Sequence, residues 1–200
     1  MSAVASNLGA DTVLLPPPAL TRDAGLEQAL RARHSTREFR PEPLSLPLLS
    51  TLLWAAFGVN RAQGGRTAPS AHDWREIDVH AVLAEGAYRY DAPAHRLVLV
   101  SALDLRADTG VQDFVAGAPL NLVYVADFAR MSGARADERE FLAGCDAGCI
   151  AQNVYLCCAA SGLGCVVRGL VDRRRLAHAL GLAPTQRIAL AQSIGFPAHS

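Results

Sequence analysis

The chain has 200 residues, nineteen of them basic and nineteen acidic, so its formal net charge is zero, and half of its residues are hydrophobic. This length favours one domain with a substantial core, and the apolar content argues against disorder. The balanced charge argues against a nucleic-acid-binding protein and a polybasic membrane binder, while a net charge near zero favours self-association.

The cysteines and the N-terminal residues bear on the compartment. No apolar run approaches the roughly 18 residues of a membrane span, and the first twenty residues lack the basic start of a secretory signal. Five cysteines are an odd number, and we interpret them as small buried hydrophobes. Cys145 and Cys149 have helical spacing, but no second pair or nearby histidine completes a zinc site. We therefore expect a cytoplasmic protein with no metal site and no membrane partner.

The N-terminal segment carries little pattern. Residues 1–20 show no hydrophobic periodicity and end in a run of prolines, so we predict that they form a mobile arm. Residues 21–200 are predicted to form a single domain. Its first helix is expected to begin at Thr21 or Asp23, either of which can act as an N-cap, and to run to about Arg33.

The remaining elements alternate between helices and strands. A second helix is predicted from Ser45, with Pro47 in its first turn, to Gly58. Residues 59–75 form a loop of a length that is usually functional or disordered. Alternating segments on either side of Glu85 predict a β-hairpin. Further helices are expected over 104–117, 138–161 and 172–181, and further strands over 97–102, 120–126, 165–167 and 187–196.

The helix predicted over residues 138–161 is apolar on most of its circumference, which places it in a core or in a subunit interface. The hairpin requires antiparallel pairing, while helices and strands are interleaved along the chain. The sequence therefore predicts the α+β class, with a mixed sheet flanked by helices.

A basic segment follows the first helix. In Arg33-His34-Ser35-Thr36-Arg37, two guanidiniums and two hydroxyls lie within five residues. Planar, permanently charged guanidiniums suit a phosphate, and the hydroxyls can donate to ring carbonyls. The pentapeptide alone favours a plainer interpretation, an ordinary basic helix end, where cations are stabilised by the helix dipole.

Two further segments are rich in glycine and small residues. Within the long loop, the small residues of Gly65–Trp74 would let the backbone approach a flat ligand, although a plain connection is equally compatible. Gly162–Gly169 has the pattern G-x-G-x-x-x-x-G after a helix, which does not match the dinucleotide-binding fingerprint.

Taken in order, several segments resemble a known family. They are the R-H-S-x-R segment, then L-x-x-L-L-W-A-A-x-G-x-N-R, G-R-T-A-P-S-A-H-x-W, D-A-G-x-I-A-Q-N-V-Y-L, G-L-G-x-V-V-R-G and I-G-F-P. Each segment alone is a weak signal. Their order and spacing over roughly residues 25–197 resemble the nitroreductase family of flavin mononucleotide (FMN) enzymes, including its branch similar to peptide azoline dehydrogenases.

The resemblance implies a nitroreductase-like homodimer with two FMN sites at the subunit interface and residues 146–161 in a long central interface helix. The basic segment would bind the phosphate and the pyrimidine edge. The P-S-A segment would come from the other subunit and lie along the isoalloxazine, and the V-R-G backbone N–H groups would lie near flavin N5. The implied cofactor-binding residues are Arg33, His34, Ser35, Arg37, Pro69, Ser70, Ala71, Asp73, Val167, Arg168 and Gly169.

The chain departs from the family pattern in three places. Asp73 stands where the family often has Asn, and since an ionised Asp only accepts hydrogen bonds, we expect a lower flavin potential or a raised pKa of Asp73. The sequence stops shortly after Pro197 without a basic pair that grips the phosphate, which implies modest affinity. Arg168 replaces a neutral or acidic residue, and it either stabilises reduced flavin and receives an acidic substrate or pairs with Asp172.

The resemblance implies an FMN-dependent oxidoreductase that moves hydride from NAD(P)H to flavin N5 and on to a small organic acceptor, of nitroaromatic or quinone type, by ping-pong turnover. The chemistry would be flavin-centred, with no catalytic side chain. Other functions stay open. They are a flavin-dependent dehydrogenase that uses oxygen as acceptor, a flavin-binding module without turnover, and an interaction domain without flavin.

Overall fold

The computed structural model describes residues 8–20 and 25–199. Within these residues the strands are β1 (Thr12–Leu14), β2 (Ile77–Leu83), β3 (Gly86–Asp91), β4 (Arg96–Ser101), β5 (Leu120–Asp127), β6 (Gly164–Arg168) and β7 (Gln186–Gly195). The α-helices are α1 (Leu26–Ala32), α2 (Leu46–Phe57), α3 (Ala136–Ala160) and α4 (Arg173–Ala179). The predicted hairpin, second helix, long helix and α+β class are confirmed.

The described strands form one sheet in the order β1-β4-β3-β2-β5-β7-β6. All neighbouring pairs are antiparallel. The parallel component that a mixed sheet would contain is limited, in the described part of the chain, to an isolated bridge between Ser35 and Cys165. β5 is a central strand, and its residues from Leu120 to Ala126 are all buried because both faces of the sheet are covered.

Alternate residues of β5 pack into two different cores. Leu122 and Tyr124 pack in the core that contains the buried side chains of α3 and α2, whereas Val123 and Val125 pack with those of α4. This alternation follows from the two-residue period of a strand. Helix α3 therefore lies on one face of the sheet, together with α1 and α2, and α4 lies on the other.

Helix α3 is long and apolar enough, by length and composition, to cross a membrane, with a mean hydropathy of 1.2. The sequence-based expectation missed it because Ala and Cys contribute much of its hydropathy without a run of large apolar residues. Half of the most apolar stretch of α3 is buried inside the fold, and α3 packs against α1, α2 and the sheet. Core helices of soluble proteins pass the same test, and the packing of α3 is that of a core helix.

The predicted mobile arm is wrong for residues 8–20. β1 pairs with β4, and Val13 and Leu15 are only 2% and 8% exposed. Val13 lies in a strand of only three residues and Leu15 directly follows it, so the alternation was too brief to be recognised as a pattern. Residues 1–7 and the helix start predicted at residues 21–24 lie outside the described residues.

The helix predicted over residues 104–117 is also wrong, since two short 3-10 turns, Arg106–Thr109 and Asp113–Val115, occupy this segment. Gly110 interrupts them with an extended backbone. A Cβ at Gly110 would lie 2.1 Å from Nη1 of Arg168, so a glycine is needed where the backbone passes this guanidinium.

The chain that follows α1 lies along β6. The Thr36 N–H donates to the Cys165 carbonyl at 3.0 Å, next to the Ser35–Cys165 bridge. Close approach requires a small residue, since a Cβ at Gly164 would lie 2.7 Å from Cβ of Thr36, well inside the optimal carbon–carbon contact distance. Gly164 therefore allows the basic segment to dock on the sheet.

We expect Gly164→Ala to lower the free energy of unfolding by about 1–3 kcal/mol, because the added methyl group forces the docked segment away from β6. Urea denaturation would measure the loss. Gly169→Ala is the matched control, since a Cβ at Gly169 would meet nothing within 4 Å. An equal loss in both variants would contradict this account of the docking.

Candidate functional site

Tyr155 joins two of the segments singled out in the sequence. Its hydroxyl lies 2.9 Å from Oγ of Ser35 and accepts a hydrogen bond from the Val167 N–H at 3.0 Å. The guanidinium of Arg33 lies over its ring, 5.2 Å from the centroid. The buried tyrosine, on α3, therefore brings the basic segment and the V-R-G segment together. The structure gives the Val167 amide this partner in place of the expected contact with flavin N5.

The basic segment presents two guanidiniums that have no carboxylate partner among the described residues. Arg31 pairs with Glu27, and Arg40 pairs with Glu42. Arg33 and Arg37, which lie between Arg31 and Arg40 in the sequence, form no ion pair with a described residue. Ser35 and His34 are exposed, and the His34 ring bonds to the carbonyl of Ala32. Two free cations beside an exposed hydroxyl are a donor set that suits a phosphate.

The P-S-A segment is fastened to its own subunit by two carboxyl groups. Oγ of Ser70 donates to Oε2 of Glu76 at 2.9 Å and accepts from the Arg75 N–H at 2.8 Å. The Ala71 N–H donates to Oδ2 of Asp146, on α3, at 2.8 Å. Ser70 and Ala71 therefore have fixed positions, while Pro69 before them is exposed.

One subunit does not bring the basic segment and the P-S-A segment together. Asp146 and Tyr155, which hold them, are nine residues apart on α3, or about 13 Å at the helical rise. The cavity next to Arg33 measures about 10 Å³, far too small for a flavin. Within one subunit, the two segments are therefore held at separate positions along α3.

Asp73 is exposed and forms a bidentate ion pair with Arg75, with N–O distances of 2.8 and 2.6 Å. The hydrogen bonds from Arg75 lower the pKa of the Asp73 carboxyl. The expectation of a raised pKa is therefore wrong in this structure, because the guanidinium stabilises the ionised form.

The side chain of Arg168 lies in the core, 4% exposed. Its guanidinium donates to Ser193 Oγ, to Asn121 Oδ1 and to the carbonyl and hydroxyl oxygens of Thr109, at 2.8 to 3.3 Å. None of these partners is a carboxylate, and burial lowers the pKa of Arg168 to about 10.

Both expectations for the Arg168 side chain are therefore corrected. It neither pairs with Asp172 at the surface nor faces a substrate, because the alternation of β6 directs it away from the α3 face on which Cys165 lies. Asp172 instead caps α4 by accepting from the Arg175 N–H. The backbone of Arg168 and Gly169 stays a predicted flavin contact.

Sequence reasoning missed several residues that hold the site, namely Glu76, Asp146, Asn153 and Tyr155. Asn153 donates to the carbonyls of Ala55 and Thr67, which fixes the long loop on α3. Glu76 and Asp146 are 0% and 7% exposed. Burial raises the pKa of Glu76 to about 6, with a further contribution from Asp146. The sequence could have singled out Glu76 and Asp146, since each is an acidic residue at the edge of, or inside, an apolar element.

Comparison with known proteins agrees with this architecture. The model of the nitroreductase family matches residues 30–196. The chain belongs to the nitroreductase family. A nitroreductase homologue from Methanocaldococcus jannaschii is 32% identical over 154 residues, covering 72% of this chain and 78% of the relative. Family membership identifies the protein as an oxidoreductase.

Two solved structures show how widely this fold occurs. A nitroreductase homologue from Ralstonia eutropha has a TM-score of 0.91 and 47% identity, over 96% of this chain and 92% of its own. A chain of the microcin synthetase complex from Escherichia coli has a TM-score of 0.75 over 92% of this chain and 77% of its own. At 20% identity, the similarity to this second structure shows a shared fold alone.

We expect Tyr155→Phe to lower the free energy of unfolding by about 1–3 kcal/mol, because the Val167 N–H and the Ser35 hydroxyl lose a shared partner. Tyr88→Phe is the control, since the Tyr88 hydroxyl accepts one hydrogen bond, from the Gly9 N–H far from the site. Urea denaturation of both variants is the measurement, and a Tyr155→Phe loss no larger than the control loss would contradict the joining role.

Proposed function

We propose that this nitroreductase-family protein is a homodimeric, FMN-dependent oxidoreductase. When bound, FMN would supply the hydride chemistry, from NAD(P)H to flavin N5 and on to a nitroaromatic or quinone acceptor. The observation that carries the proposal is the pair of unpartnered guanidiniums, Arg33 and Arg37, docked beside the V-R-G segment. The protein's own residues bind and orient the cofactor and need not move a proton for the hydride steps.

The residues of the basic segment fit the anionic end of FMN. Arg33 and Arg37 would hold the phosphate as charge-assisted donors, with Ser35 and His34 adding hydrogen bonds. The stacking of Arg33 on Tyr155 restricts its guanidinium before any ligand arrives, which lowers the ordering cost of binding. Backbone groups of Arg168 and Gly169 would face the flavin ring.

The P-S-A segment, with Asp73, would reach the flavin from the partner subunit. An exposed stripe on α3, running from Phe141 to Gln152, contains small residues at Gly144, Cys145, Gly148 and Cys149. Small residues let two helices approach closely, and Phe141 is 70% exposed. An antiparallel pair of α3 helices centred between residues 149 and 152 would set Asp146 of one subunit opposite Tyr155 of the other.

The purified full-length protein tests the function directly. We expect it to bind added FMN with the two flavin absorption bands, and the bound flavin to lose its blue band when NADH or NADPH is added under anaerobic conditions. Bleaching by a nicotinamide supports the reductase. FMN binding without bleaching would favour the oxygen-using dehydrogenase or the module without turnover. A colourless protein that refuses FMN would overturn the proposal.

Matched arginine variants locate the phosphate contact. Arg37→Gln is expected to weaken FMN binding at least tenfold, since it removes a charge-assisted contact worth about 1.5–3 kcal/mol. Arg31→Gln is the control, because Arg31 is exposed and already pairs with Glu27. Titration of the flavin absorbance measures both, and an equal effect in the two variants would speak against this phosphate site.

The dimer is tested by Gly148→Glu, which adds a charged side chain to the middle of the α3 stripe. We expect a dimer of the natural sequence and a monomeric variant in sedimentation, because each subunit would bury an unpaired carboxylate close to the two-fold axis. Arg174→Glu, an exposed change on α4, is the control. A monomer of the natural sequence, or a variant that stays dimeric, would count against this interface.

A further inference from the structure

The carboxyl pair formed by Glu76 and Asp146 lies directly under the P-S-A segment. Glu76 holds Ser70 from the start of β2, and Asp146 holds the Ala71 N–H from α3. Both carboxyl groups are buried. Oε1 of Glu76 is buried and has no hydrogen-bond partner among residues 8–20 and 25–199, so one oxygen of this pair is placed to carry a hydrogen.

The turn that directly follows the P-S-A segment is strained. Three non-glycine residues in this turn have left-handed φ values, 52° at His72, 54° at Asp73 and 52° at Arg75. Such residues persist only when the surrounding structure over-determines their conformation. Ser70 and Ala71 directly precede this turn, so their bonds to Glu76 and Asp146 anchor the point at which it begins.

Among the described residues, no basic side chain forms an ion pair with either acid. The pKa of Glu76 is raised to about 6, because burial and, to a smaller extent, Asp146 outweigh the hydrogen bonds from its own backbone and from Ser70, which lower it. Arg75 pairs with Asp73, and Arg130 pairs with Asp78 and Asp127. The other charged and titratable groups on the surrounding elements include Arg66 and His72 on the loop, the buried His80 on β2, and Arg139 and the exposed Cys145 and Cys149 on α3.

We propose that Glu76 and Asp146 are positioning residues that share one proton and, while they hold it, fasten Pro69–Ala71 to α3. The protonated Glu76 donates to Asp146 and keeps accepting from Ser70. When the proton leaves to water, two adjacent buried carboxylates repel each other and the strained segment opens. The functional consequence rests on the proposed function, in which this segment lies along the flavin of the partner subunit.

The sign of the pH effect follows from linkage. The closed segment holds Glu76 with a pKa of about 6 in place of 4.5, so closing binds protons and weakens as the pH rises through this window. A shift of this size corresponds to about a 30-fold change in the closing equilibrium overall. Between pH 5 and pH 8 the closing equilibrium constant changes about tenfold. The rest of the change falls below pH 5, since Glu76 is already partly ionised in the open form at pH 5.

Amide hydrogen exchange of the full chain tests the proposal without any ligand. We expect the protection of residues 70–76, corrected for intrinsic exchange, to be about tenfold lower at pH 8 than at pH 5. In Glu76→Gln the amide can still accept from Ser70 and can donate to Asp146. This variant should therefore keep high protection at every pH.

Two further variants sharpen the assignment. Asp146→Asn keeps an acceptor for the Ala71 N–H and removes the like charge but leaves Glu76 buried, so its protection should depend on pH less steeply than in the natural sequence. Asp78→Asn is the matched control, since Asp78 is a buried carboxylate two residues from Glu76 that pairs with Arg130. It should keep the pH dependence of the natural sequence. Constant protection in the natural sequence, or unchanged pH dependence in Glu76→Gln, would overturn the proposal.

An FMN titration separates this inference from the function on which it rests. We expect the affinity for FMN to fall between pH 5 and pH 8 in the natural sequence. In Glu76→Gln the fall in affinity should be smaller or absent. Failure to bind FMN at any pH, with the exchange result intact, would refute the proposed function and leave the shared proton supported. FMN binding with a pH dependence identical in both proteins would refute the role of the pair at the flavin.

Discussion

Polar side chains of α3 set the positions of the loops on which the candidate site depends. Asp146 and Asn153 bind the long loop of residues 59–75, and Tyr155 binds the basic segment of residues 33–37. Buried polar groups must be paired, and here main-chain and hydroxyl groups of the loops supply the partners. A single rigid helix, itself fixed by its burial against the sheet, therefore determines the spacing of segments that are far apart in the sequence.

The parts of the fold that local chemistry specifies were predictable. Helix α2 begins after Ser45 with Pro47 in its first turn and ends at Gly58, as its capping residues and apolar stripe indicate. The hairpin followed from strict alternation around a turn. β1 and the 3-10 turns near Gly110 were not predictable, because a three-residue strand carries no usable period and the turns depend on a distant guanidinium.

The candidate site shows the same division between local and long-range causes. The composition of the basic segment identified cations suited to a phosphate, but their lack of carboxylate partners became visible only in the fold. Arg168 was placed wrongly because its environment is built by Thr109, Asn121 and Ser193, which no local pattern connects. Oxygens of neutral groups satisfy most of its donors, and its charge is thereby kept in the core without a counter-ion.

The acidic pair shows why a chain without net charge can still be electrostatically specialised. Replacing Glu76 by a well-packed apolar side chain would remove a buried acid that costs stability at neutral pH. The pair instead lies beside a strained turn, where Asp146 is in the first half of α3. In the proposed antiparallel dimer, this half of α3 would lie close to the unpaired guanidiniums of the partner subunit. Two carboxylates there would repel an anionic cofactor, whereas one shared proton halves that charge. The proton therefore serves the strained turn and the proposed cofactor site through the same interaction.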